Sequence, residues 1–149
     1  MKSLFNKTDN YALLERLYSL SANATPLWGK MSVAQMLAHC QQPLKVGFGE
    51  LTLERTFIGI LFGGWAKKKF MGEGGFGKNL PTDKSFIFKE DKNFEIEKAK
   101  LVQLIQRFAT DGPNGLTDAI HPFFGKMTPD EWSILSWKHL DHHLTQFGV

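Results

Sequence analysis

The sequence predicts an all-α protein, an antiparallel helical bundle, on three observations. Four stretches repeat apolar side chains every three or four residues, the period of a helix with one buried face. Two of these stretches open on a capping box, Ser32 to Gln35 and Thr128 to Glu131. No segment makes a convincing sheet.

The first helix is expected over Asp9 to Leu20, where Tyr11, Leu13, Leu14, Leu17 and Leu20 share one side and Glu15 and Arg16 the other. Pro26 and Gly29 punctuate the loop that follows. The second helix starts at Val33 behind the Ser32 cap, and Pro43 limits it to about Gln42. Leu53 to Phe62 reads as a short buried helix stopped by Gly63-Gly64, with Lys67-Lys68-Lys69 as a solvated helix end. Gly72 to Asp83 is a loop carrying four glycines, and Ser85 to Phe88 is a short extended piece. Asn93 to Thr110 is a long amphipathic helix ended by Asp111-Gly112-Pro113. Gly115 to Met127 is irregular. Thr128-Pro129-Asp130-Glu131 then supplies a cap, a first-turn proline and two dipole-favouring carboxylates, opening a last helix to about Phe147.

The chain has 149 residues and a hydrophobic fraction of 42%, enough for one domain with a real core. Thirteen Phe and four Trp make that core aromatic. A net charge of +3 is too mild to imply a nucleic-acid partner. Phe57 to Ala66 is the longest apolar run, and it is far short of the roughly twenty residues of a bilayer span; no membrane partner is expected. One cysteine, Cys40, allows no internal disulfide, and the N-terminus lacks the apolar core of a secretory signal. A cytoplasmic location is expected.

Three of the five histidines fall in one stretch of the last helix, His139, His142 and His143. With about 100° per residue, His143 lies about 40° from His139, between Trp132 and Ser136 on the same arc, with Gln146 about 20° to the other side. Lys138, Glu131, Thr145 and Asp141 form the polar arc, and His142 stands at its edge. His139 and His143 are therefore the inward pair. A single buried histidine is more often a hydrogen-bonded core residue than a ligand. Two on one apolar face must satisfy four ring nitrogens, and a shared metal ion satisfies one on each ring. His39, on the second helix, sits at a boundary and by itself reads as structural. Cys40 reads as a small core residue. His121, next to Pro122, reads as a local hydrogen-bonding residue near the start of the last helix.

The stretch HPFFGKMTPDEWSILSWKHLDHHLTQFG resembles the C-terminal helix of the DinB-like superfamily, with its His-Pro-x-x-Gly, Thr-capped start, Glu-Trp and His-x-x-x-His. TPLWGKMSVAQMLAHCQQPL resembles that family's second helix. The resemblance implies a four-helix bundle in down-up-up-down order, with a crossover segment between the second and third main helices. It implies three metal ligands, His39, His139 and His143, and often a homodimer. Its characterised members include thiol-dependent transferases and an isomerase. Residues 51–92 match no part of the better-known members.

Three imidazoles leave a divalent ion its full charge and an open position; zinc suits this set, and nickel or iron accept it. Such a centre can hold a low-molecular-weight thiolate that attacks an electrophilic small-molecule substrate, or a hydroxide that hydrolyses one. Hydrolysis wants a nearby carboxylate base, and neither key helix offers one on its buried face, which favours thiol transfer. A non-enzymatic metal-bearing bundle is the remaining alternative. A pocket lined by Gln35, Trp132, Ser136 and Gln146 is expected beside the metal.

Overall fold

The computed structural model describes residues 1–55, 57–72, 74 and 76–149. Among these residues it is all-helical, with five α-helices and two short 3-10 turns. We number them α1 (Lys7–Ser19), α2 (Val33–Gly47), α3 (Phe57–Met71), α4 (Phe94–Asp111) and α5 (Pro129–Gln146). The two expected capping boxes are both formed, at Ser32/Gln35 and Thr128/Glu131. Asn6 and Asn93 cap α1 and α4 through their side-chain oxygens.

α1, α2, α4 and α5 make the bundle. α1 packs on α4 and α5, and α2 packs on the same two helices. One apolar core runs through all four. Leu13 and Leu17 of α1, Met36 and Leu37 of α2, Ile105 and Phe108 of α4, and Leu140 of α5 are essentially inaccessible within it. Polar ties close its edges. Buried Asn10 donates through Nδ2 to the carbonyls of Leu4 and Ile105, and Arg16 pairs with Asp141 and donates to the Val149 carbonyl. A second, smaller cluster joins Val46, Met127, Trp132 and Leu135.

Three expectations are corrected. Pro43 does not end α2, which continues to Gly47. The proline removes the donor that would reach the His39 carbonyl, a cost of roughly 3 kcal/mol. Burial of Leu44, Val46 and Gly47 beyond it keeps the chain helical, while the Gln41 and Gln42 amides donate to the carbonyls of Leu37 and Ala38 on the same turn. The helix expected over residues 53–62 is α3 instead. It runs through Gly63-Gly64 and leaves its large apolar side chains from Phe57 to Trp65 exposed; Thr56 lies outside the described residues. Residues 85–88 are not an extended piece: Lys84–Phe86 form a 3-10 turn capped by Asp83. The loop expected at 72–83 has no helix or strand among its described residues, Glu73 and Gly75 lying outside them.

Candidate metal centre

Two helices bring the site together. His39 is in the middle of α2, and His139 and His143 are one turn apart on α5. The α2–α5 contact places their rings side by side. Ring centroids are 5.1 Å apart for His39 and His139, 4.8 Å for His39 and His143, and 4.6 Å for His139 and His143. One nitrogen from each ring lies within 4.8 Å of the other two, close enough to hold a metal ion. Among the described residues no Asp, Glu or Cys joins this group.

The hydrogen bonds decide which nitrogen each ring turns inward. His39 Nδ1 lies 3.1 Å from the Phe86 carbonyl oxygen. A carbonyl only accepts, so Nδ1 carries the hydrogen and Nε2 the lone pair. His143 Nδ1 lies 2.8 Å from Gln146 Oε1. The amide orientation of Gln146 is fixed from its other end, where Nε2 donates to the Trp28 carbonyl at 2.6 Å. His143 Nδ1 is therefore the donor, and its Nε2 is free to ligate. Gly29 makes room for this arrangement. Its φ is +83°, and a Cβ there would stand 2.7 Å from Gln146 Nε2. His39 Nε2 and His139 Nε2 are 3.1 Å apart. Two nitrogens bound to one zinc at about 2.0–2.1 Å, at tetrahedral or octahedral angles, are separated by roughly 2.9–3.4 Å. With neutral rings and no ion, the hydrogen between these two nitrogens belongs to His139. Moving it to Nδ1 would free Nε2 of His139 to ligate as well.

Burial keeps the rings neutral. It pushes His139 well below its ordinary value, with the neighbouring imidazoles adding to the effect. Burial likewise lowers His143 to about 3 and His39 below the usual range, the Phe86 carbonyl opposing it at His39. Neutral imidazole is the form that binds a metal.

His142 stands apart from the three. It is partly exposed whereas His143 is buried, and its ring lies edge-on to Trp28 at 5.5 Å. With Phe76, Lys78, Lys138, Asp141 and Thr145, these two residues line a cavity of about 230 Å³. Phe76 also covers His139, with centroids 5.6 Å apart.

The four residues expected to line a pocket are not in this cavity. Gln35 Oε1 accepts the Ser32 N–H in the cap, and its Nε2 donates to the Glu90 carbonyl. Gln146 holds His143. Trp132 is 2% exposed, packed on Gly47 and beside the His121 ring. Ser136 is buried on α5. His121 Nδ1 accepts from the backbone N–H groups of Phe123 and Phe124, so its work is local, as its position before Pro122 suggests. Cys40 is buried in the core, its thiol pushed up by burial. Sequence reasoning missed Phe86 and Trp28, which act through backbone carbonyls that any residue would supply. It also missed Phe76, which sits in a glycine-rich loop with no periodicity.

Comparison with curated proteins and with solved structures finds no match. A family model spanning residues 2–148 does match, and the chain belongs to the family that it describes, a protein of unknown function, DUF1569.

Proposed function

We propose that this is a metal-dependent enzyme of the DinB-like type, in which His39, His139 and His143 hold one divalent ion, zinc first, with nickel or iron as alternatives. The observation that carries the reading is the pair of outward anchors. Phe86 O and Gln146 Oε1 hold the Nδ1 hydrogens of His39 and His143, leaving Nε2 of both rings to ligate, that of His39 3.1 Å from His139 Nε2. Such partners are what metal-binding histidines ordinarily have. A divalent ion held by three neutral imidazoles keeps its charge and supplies acidity to a bound thiol or water. The absence of any carboxylate from the group among the described residues favours a thiol over a hydrolytic water. In the transfer, the thiol would give its proton to water, its sulfur would bond to the electrophilic carbon, and the leaving group would depart from that carbon with the bonding electron pair. The down-up-up-down bundle, the homodimer and the reducing cytoplasm belong to the same proposal.

A second reading is a metal centre without catalysis. Phe76 lies over His139 and Phe86 beside His39, at 5.6 and 6.3 Å between centroids, and the cavity at His142 is lined by none of the three ligands. One experiment separates the readings. Protein purified without a histidine tag is loaded with zinc, nickel or iron and offered a panel of biological thiols with a reactive electrophile. Transfer that depends on metal and is lost in His139→Ala supports the enzyme. Stoichiometric metal with no transfer by any thiol supports the second reading.

A further inference from the structure

α3 is packed with its small residues inward. Its buried positions are Gly59, Gly63 and Ala66, one stripe along the helix. Gly63 approaches the 121–125 turn so closely that a Cβ there would stand 1.8 Å from the Phe123 carbonyl oxygen. At its C-terminal end Phe70 and Met71 pack against the second cluster, Phe70 on Phe76 and Phe124, but the large apolar side chains of the first three turns face the other way. Phe57, Ile58, Ile60, Leu61, Phe62 and Trp65 are 56 to 74% exposed. Only a side without Cβ bulk fits against the turn, so rotating α3 cannot bury them.

A contiguous apolar surface of this kind marks a contact, and three features decide its partner. The first is its breadth. Measured from the glycine stripe, the exposed apolar side chains span about 200° of the helix, from Ile60 on one flank to Phe62 on the other. A partner helix laid alongside covers a stripe of roughly 100° and leaves both flanks in water; a soft plane into which the helix sinks covers the outward half. The second feature is Lys68, exposed near the middle of the outward arc about two turns beyond Leu61. Lys69 follows it, with Nζ 5.4 Å from the Trp65 ring centroid. Burying Lys68 in an apolar protein interface is costly, whereas at a bilayer surface its stem lies along the apolar layer and its ammonium reaches the headgroups. The third is charge. Between Glu54 and Glu73 the chain has four cations and no carboxylate; Lys67 is paired with Glu131, and Lys68 and Lys69 at the end of the exposed arc are complementary to anionic lipid.

We propose that α3 seats on the surface of an anionic bilayer, with its outward apolar side chains at the boundary between headgroups and acyl chains and Lys68 and Lys69 among the headgroups. No described helix is long and apolar enough to cross a membrane, and this contact lies in the membrane plane and needs no span.

The test is co-sedimentation of the full chain with vesicles of phosphatidylcholine, alone or mixed with phosphatidylserine, with light scattering of the lipid-free protein alongside. Binding is expected to the mixed vesicles and to weaken with salt. Leu61→Glu reduces it to background. Lys68→Ala with Lys69→Ala weakens it about 30-fold, roughly five-fold per lysine. These positions are exposed, and unchanged circular dichroism verifies that the variants fold. Equal binding to both vesicle types, or to neither, overturns the proposal. So does a lipid-insensitive dimer that Leu61→Glu dissociates, which assigns the face to a second copy.

Discussion

α3 and α5 are both rich in apolar residues, and they use them in opposite ways. α5 buries Leu140 and Leu144 in the bundle core and turns His139 and His143 toward α2. α3 buries two glycines and an alanine and turns the large side chains from Phe57 to Trp65 out. The difference lies in what each helix packs against. α5 meets side chains across an ordinary interhelical gap, where bulk fills space. α3 meets the backbone of the 121–125 turn, where bulk has no room. Apolar periodicity predicts burial only in the first situation.

Two adjacent glycines of α3 separate the two kinds of packing. Gly63→Ala should destabilise the protein by about 3 kcal/mol or detach α3, because its Cβ meets the Phe123 carbonyl. Gly64→Ala has nothing within 4 Å of the added Cβ and should stabilise the helix by up to about 1 kcal/mol. Urea titration of both variants reads the contrast, and equal effects would remove the close approach from the account.

The matching probe on α5 is Gln146→Ala. It removes the acceptor from His143 Nδ1 and should weaken metal affinity by about 10- to 100-fold, measured by competition with a chelator. Gly29→Ala should act in the same direction by displacing the Gln146 amide from the Trp28 carbonyl.

The turn that joins the two regions gives a pH signature. Burial lowers His121 from its ordinary 6.5 to about 4. Below pH 6.5 the unfolded chain takes up a proton that the folded turn refuses, so stability falls as pH drops from about 6.5 toward 4 and is unaffected above that window. The contribution is about 3 kcal/mol across it. His121→Asn, whose side-chain oxygen accepts from the same turn N–H groups, should flatten that part of the profile by the same amount. The smallest effect is expected at Leu61→Ser on α3, within about 0.5 kcal/mol in lipid-free solution, since an exposed side chain gives up little on removal.

Much of the bundle was legible because its signals are local. Thr128-Pro129-Asp130-Glu131 writes the start of α5 in four residues, and the spacing of His139 and His143 places both on one face whatever lies opposite. The third histidine was legible only through resemblance, since the pattern of its helix puts His39 at a boundary, whereas the fold buries it. Pro43 misled because a local cost was outweighed by tertiary burial of Leu44 and Val46. α3 misled because the partner of Gly63 lies sixty residues away along the chain. The supports at Phe86 and Trp28 left no trace in side-chain identity, because carbonyl oxygens are common to every residue.

The metal content of His143→Ala against His142→Ala decides whether His39, His139 and His143 are the ligands. The two residues are neighbours on one helix, and their rings differ in burial and partners. Protein made without a histidine tag, loaded with zinc and dialysed, should hold close to one ion per chain in the parent and in His142→Ala, and little in His143→Ala. Retention by His143→Ala with loss in His142→Ala, or no bound ion in the parent, would contradict the assignment of His39, His139 and His143 as the ligands.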